Sequence, residues 1–163
     1  EIQPADISGN VFDLIGKRWM LVTAGDDAGF NTMTAGWGGL GVLWARPVAF
    51  CFIRPQRYTY GFLQKNDRFS LTFYDGEKYR NALNICGSKS GRDCDKMKEA
   101  GLTPVFADGT VYFEQASLVL VCRKLAEQPM DPACFIDPAI ESHYPARDYH
   151  RIFVGGITKV LAR

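Results

Sequence analysis

The sequence is short of net charge, of histidine and of uninterrupted apolar runs, and each shortage excludes something. Lys plus Arg numbers 19 and Asp plus Glu 18, a net charge of +1. Proteins held on nucleic acid by bulk charge carry a basic excess, so no nucleic-acid partner is expected. Nor is there a charged tail long enough to work as a disordered tether. Only His143 and His150 represent histidine, and no metal site is expected. Cys51, Cys86, Cys94, Cys122 and Cys134 are odd in number and form no C-x-x-C pair, which argues against a disulfide framework or a zinc ladder. They read as reduced thiols, mostly core fillers, in a cytoplasmic protein. The most apolar stretch, residues 35–53, is broken by Gly36, Gly38, Gly39, Gly41, Arg46 and Pro47, and does not read as a membrane span. No secretory-signal pattern opens the sequence. Also missing are a G-x-G-x-x-G between strand and helix, a Walker loop and a nucleophile elbow.

What is present is a single domain, residues 1–163. That length leaves no room for separate cofactor and substrate domains, so a small-molecule site must lie within one domain or be shared between copies. Residues of hydrophobic type make up 47%, enough for a real core. The 3 Trp, 7 Tyr and 11 Phe fill much of that core and can also face a planar ligand.

Strands outnumber helices. The run 19–24 reads as a strand ended by the turn cluster Gly25-Asp26-Asp27, and residues 31–44 read as one long, glycine-bent strand. Residues 48–53 and 69–73 follow as strands. Asp108-Gly109 marks a hairpin between 105–106 and 111–113. Residues 117–125 are apolar enough to be buried on both faces, and 149–161 form a last strand broken at Gly155-Gly156. Three short helices are expected: 60–66 capped by Thr59, 77–86 closed by Gly87, and 92–100 started by Ser90-Gly91-Arg92-Asp93 and stopped by Gly101. With no regular βαβ alternation, an antiparallel barrel carrying a few surface helices fits best.

Four constellations carry candidate chemistry. Arg54-Pro55-Gln56-Arg57-Tyr58-Thr59 sets two cations and a hydroxyl before a helix, which suits a phosphate or, equally, a solvated arginine pair. Cys86-Gly87-Ser88-Lys89-Ser90-Gly91-Arg92-Asp93 offers a second glycine- and serine-rich loop; the plain alternative is a helix–loop–helix connection. Asn31-Thr32-Met33-Thr34-Ala35-Gly36-Trp37 puts small and polar residues on a strand, letting a flat ring reach main-chain groups; barrel bends look similar. Asp148-Tyr149-His150 opens the last strand, where a histidine is more often merely satisfied than catalytic. With no acid–base grouping in view, the pattern points to a cofactor that brings its own chemistry.

Those segments, in that order, together with residues 19–24, Cys94-Asp95-Lys96 and Val154-Gly155, resemble the flavin reductase-like, FMN-binding split-barrel family, which includes flavoredoxin-like and ferric-reductase-like members. The resemblance implies a mainly β, Greek-key split barrel with short helices. It also implies a homodimer with FMN near the interface. It places Asn31, Thr32, Met33, Thr34, Ala35 and Trp37 along the isoalloxazine and ribityl chain. It assigns the phosphate to Arg54, Arg57, Tyr58 and Thr59, helped by Ser90, Gly91, Arg92 and Lys96, and adds Gln56, Cys86 and Ser88 to the cofactor-binding residues. His150 matches the family histidine on the nicotinamide side, whereas Gly156 stands where members often carry an acid. The implied activity is NAD(P)H-dependent flavin or ferric reduction, serving free flavin, a partner oxygenase or another electron acceptor. The alternative is a flavoredoxin-like FMN electron carrier without efficient NAD(P)H turnover.

Overall fold

A computed structural model describes residues 1–163. Nine strands and four α-helices follow in chain order: α1 (Val11–Gly16), β1 (Met20–Asp26), β2 (Gly29–Ala35), β3 (Gly38–Leu43), β4 (Arg46–Ile53), α2 (Tyr58–Lys65), β5 (Arg68–Phe73), α3 (Arg80–Ser88), α4 (Lys96–Ala100), β6 (Pro104–Ala107), β7 (Thr110–Phe113), β8 (Leu118–Pro129) and β9 (Arg151–Ala162). Seven strands form one sheet in the order β2-β1-β5-β8-β9-β4-β3; β6 and β7 form a separate hairpin. All pairs are antiparallel. The hairpins β1–β2 and β3–β4 lie at opposite ends of that order, the Greek-key arrangement, although their edge strands β2 and β3 are separated along the chain by only Gly36 and Trp37. The rolled sheet is split at that seam.

Two apolar clusters hold the barrel. The interior cluster includes Met20, Val22, Ala24, Cys51, Ile53, Phe69, Leu71, Phe73, Leu120, Cys122 and Phe153. The second lies outside the sheet, where Leu21, Val119 and Val121 meet Ala82, Leu83 and Cys86 of α3 and Phe113 of β7. Strand β1 therefore buries both faces along most of its length, and β8 does so at residues 119–122, within the near-continuous apolar run at 117–125. Cys51, Cys86 and Cys122 are core residues; Cys94 is half-buried and Cys134 exposed. No helix is long and apolar enough to cross a membrane.

The Asp108-Gly109 turn has φ of 56° and 71°, the type I′ signature. The β3–β4 hairpin makes the same kind of turn with Trp44 and Ala45, at φ 51° and 54°, a position no glycine marked in the sequence. Four other expectations are corrected. The strand expected at 31–44 is two strands, because the chain leaves the sheet at Gly36-Trp37. Helix α2 starts at Tyr58 with Arg57 as N-cap, so Thr59 lies inside the helix. Gly87 does not close α3 but belongs to it; a Cβ there would stand 3.3 Å from Thr34, so its smallness serves packing on β2. Residues 90–95 form a turn, with Ser90 Oγ accepting from Arg92 N, and α4 begins only after Asp95, whose carboxylate accepts from the N–H groups of Met97 and Lys98.

The last strand is continuous rather than broken at Gly155-Gly156. A Cβ on Gly155 would stand 2.5 Å from Phe69 Cζ and 2.8 Å from Cys122 Cβ. The register of β8 shifts between Lys124 and Ala126, and a Cβ on Gly156 would meet Leu125 at 3.0 Å. These glycines accommodate the core and a bulge, and do not end the strand. Helix α1, capped by Asn10 Oδ1 accepting from Phe12 N and Asp13 N, was not expected; Asn10 was its available signal.

Candidate functional site

Two adjoining cavities collect most of the predicted residues. A 200 Å³ cradle is lined by Asn31, Gln56, Arg57, Tyr58, Thr59, Gly87, Ser88, Lys89, Ser90, Arg92 and Lys96. A 340 Å³ groove is lined by Trp19, Met33, Thr34, Ala35, Gly36, Trp37, Phe52, Arg54, Arg57 and His150. Arg57 belongs to both and marks where one passes into the other.

The cradle is built to receive an anion. Arg57 caps α2 by position but contributes no side-chain cap bond. The Tyr58 and Thr59 N–H groups at the helix start find no acceptor within the protein, and neither do those of Ser90 and Gly91 in the facing turn. Unpaired N–H groups at a helix N-terminus attract negative charge. Three cations converge there. Arg57 donates a long 3.4 Å bond to the Cys86 carbonyl, and burial lowers the proton affinity of its guanidinium. Lys96 is buried, and its Nζ donates to the Thr32 and Cys86 carbonyls at 2.8 and 3.1 Å; burial lowers its pKa. Arg92 lies 4.5 Å over the Tyr58 ring. Lys89 also lines the cradle, but its ammonium is paired with Glu99.

The cradle is held in shape by Asn31, whose Nδ2 donates to Thr59 Oγ1 at 2.7 Å. Its Oδ1 presses on the turn so closely that a Cβ on Gly91 would stand 2.1 Å away. Only glycine fits that approach. Thr32 turns its hydroxyl to Thr23 Oγ1, 2.7 Å away, and presents its carbonyl to Lys96. Cys86 likewise faces the site through its carbonyl, while burial pushes its thiol up to about 11. Ser88 donates to the Asn84 carbonyl in its own helix.

In the groove, Thr34 donates to the Leu83 carbonyl and ties β2 to α3. Met33 and Ala35 are buried in the barrel cluster, so the strand offers main chain rather than bulk there. Trp19 was missed as a site residue. It sits at φ 66°, and a Cβ on Gly36 would stand 2.9 Å from its indole. A bulky residue in the left-handed region after a basic pair was the available signal only once the backbone was known. Phe52 was missed because its strand reads as core.

Arg54 departs from expectation. It lines the groove and not the cradle. Its guanidinium is committed to Asp148 Oδ2 at 2.5 Å and to the His143 carbonyl at 2.8 Å, and lies 5.0 Å over the Tyr144 ring. Gln56 donates to the same Asp148 oxygen. Asp148 is held below the usual carboxylate range, first by the Arg54 bond. His150 is buried, 5.2 Å from the Trp37 ring, and burial lowers its pKa to about 4. Trp37 itself is about half exposed.

The flavin reductase like domain family matches residues 12–163. Comparison with curated proteins gives no match. Among solved structures, flavoredoxin of Desulfovibrio vulgaris (Miyazaki F) superposes with a TM-score of 0.68 at 21% identity, over 89% of this chain and 69% of that one. The FMN-binding protein from Thermus thermophilus with bound p-hydroxybenzaldehyde gives 0.70 at 21% identity, over 100% and 81%. An NADH:FAD oxidoreductase from Streptomyces globisporus, in complex with NAD and FAD fragments, gives 0.65 at 16% identity, over 89% and 74%. At these identities the likeness is one of fold. With a family match that covers nearly the whole sequence and a split barrel to carry it, the chain belongs to the flavin reductase-like domain family.

Proposed function

We propose that this chain is an FMN-binding oxidoreductase that takes hydride from NAD(P)H and passes electrons to free flavin, a ferric complex or a partner protein. The observation that carries the reading is the cradle: Tyr58, Thr59 and Ser90, whose N–H groups are unpaired, border the same small space as Arg57, Arg92 and Lys96. That donor set suits a phosphate monoester, and the contact at Gly91 leaves no room for a side chain in the turn. The adjoining groove, with small residues along β2 and aromatic walls at Trp19, Trp37 and Phe52, suits a flat ring joined to that phosphate.

When bound, FMN would supply the hydride-accepting centre. The protein's share is positioning and electrostatics. Arg57, at the junction, would steady the phosphate end and lend positive charge to the ring end. Main-chain groups of residues 33–36 would meet the ring edge. No side chain is required as an obligate acid or base.

A homodimer is part of the reading. A larger apolar groove of 950 Å³, lined by Val11, Phe12, Leu40, Phe135 and Ile140 among others, shares Gly36, Trp37 and Phe52 with the ring groove. Phe12 is 88% exposed on its rim, and covering it with a second copy would close the ring groove from water. Anaerobic mixing with NADH or NADPH tests the activity. Rapid bleaching of bound flavin is expected; flavin that binds but does not bleach would establish the electron-carrier alternative.

A further inference from the structure

We propose that Tyr144 is a positioning residue that fixes His150 as a neutral imidazole with its proton on Nε2, so that the histidine offers the groove a hydrogen-bond donor rather than an acid. The use of that donor rests on the flavin reading above; the tautomer does not.

The Tyr144 hydroxyl stands 2.7 Å from His150 Nδ1, and both residues are buried. Its other neighbour is Met130 Sδ at 3.5 Å. A phenol has a single O–H, and an imidazole nitrogen is both the nearer and the stronger acceptor of the two. The proton therefore points at Nδ1, which must be bare to receive it. A neutral ring with a bare Nδ1 carries its hydrogen on Nε2. Nε2 makes no hydrogen bond within the protein, and His150 lines the groove.

The surroundings keep the ring uncharged. The Arg54 guanidinium lies over the Tyr144 ring and opposes a second positive charge. Asp148 acts in the opposite sense, but its carboxylate is already engaged by Arg54 and Gln56. Trp37 packs against the imidazole at 5.2 Å and has His143 against its own ring at 5.4 Å. Tyr149, whose hydroxyl donates to Glu141, packs against Tyr144 at 5.0 Å, and Phe135 stacks on it at 6.1 Å. The phenol is thus clamped between Phe135 of the proline-rich 129–145 segment and Tyr149, which gives that segment a task in the site. A fixed neutral donor suits a carbonyl oxygen, such as the amide of a seated co-substrate.

Nitrogen-15 histidine labelling tests this on the flavin-free and the FMN-loaded protein. Long-range proton–nitrogen spectra of wild type are expected to show His150 with a bare Nδ1 and a protonated Nε2, neutral down to about pH 5. Tyr144→Phe keeps the ring packing and is expected to mix the tautomers. It should raise KM for the nicotinamide several-fold and leave FMN affinity unchanged. A wild-type His150 protonated on Nδ1, or charged at neutral pH, would overturn the proposal, as would a Tyr144→Phe spectrum identical to wild type. The wild-type spectrum decides even if the variant does not fold. Failure to bind FMN would count against the flavin reading and leave the flavin-free spectra able to decide this one.

Discussion

Arg57 is the residue on which the site turns, because it alone of the cations borders both cavities. Its guanidinium makes only one long internal bond, so its remaining donors are free for a ligand. Arg57→Ala is expected to weaken FMN binding by about 1.5–3 kcal/mol, the range for a charged hydrogen bond. Arg54→Ala should weaken it far less, since Arg54 is spent on Asp148 and the His143 carbonyl. Titration of flavin fluorescence on both variants checks the ranking. His150 gives a pH prediction. Its folded pKa of about 4 lies below the ordinary 6.5. As pH falls through 6.5 the unfolded chain takes up a proton that the folded chain refuses, so stability is lost between about pH 6.5 and pH 4 and levels off below. Denaturation midpoints across that range should show the slope, and His150→Gln should reduce it.

At the scale of elements, the decisive parts are those where glycine permits close approach. Gly155→Ala places a methyl within 2.5 Å of Phe69 and is expected to cost about 1–3 kcal/mol by overpacking, whereas Gly41→Ala meets nothing within 4 Å and should be close to neutral. Chemical denaturation of the pair reads the difference. These glycines also show why some elements were legible in the sequence and others were not. Asp108-Gly109 announces its turn because its residues tolerate positive φ, while Trp44-Ala45 makes the same turn on tertiary demand alone. Gly155-Gly156 looks like a break locally, yet the bulge at Leu125 that explains it comes from another strand. The cradle residues were legible because arginine, serine and glycine beside a helix start carry a local mechanism. Arg54 stands in the groove rather than the cradle, and its partner Asp148 lies in a distant segment that the local pattern around Arg54 does not reveal. Trp19 and Phe52 were hidden for the same reason: strand periodicity says which face is buried, not which faces meet across a barrel.

For the molecule as a whole, the near-zero net charge acquires a definite meaning. Arg57, Arg92 and Lys96 border one space of 200 Å³ where α2 faces the turn after α3. The split between β2 and β3 lets the chain leave the sheet at Gly36-Trp37, beside the ring groove. The central claim is that this cradle holds the phosphate of FMN. Calorimetric titration of the flavin-free protein with FMN and with riboflavin, which differ only in that phosphate, tests it most directly. The account predicts that FMN binds about a hundredfold more tightly or better, and that Arg57→Ala removes most of the difference. Equal affinity for the two flavins, or a difference untouched by Arg57→Ala, would contradict it.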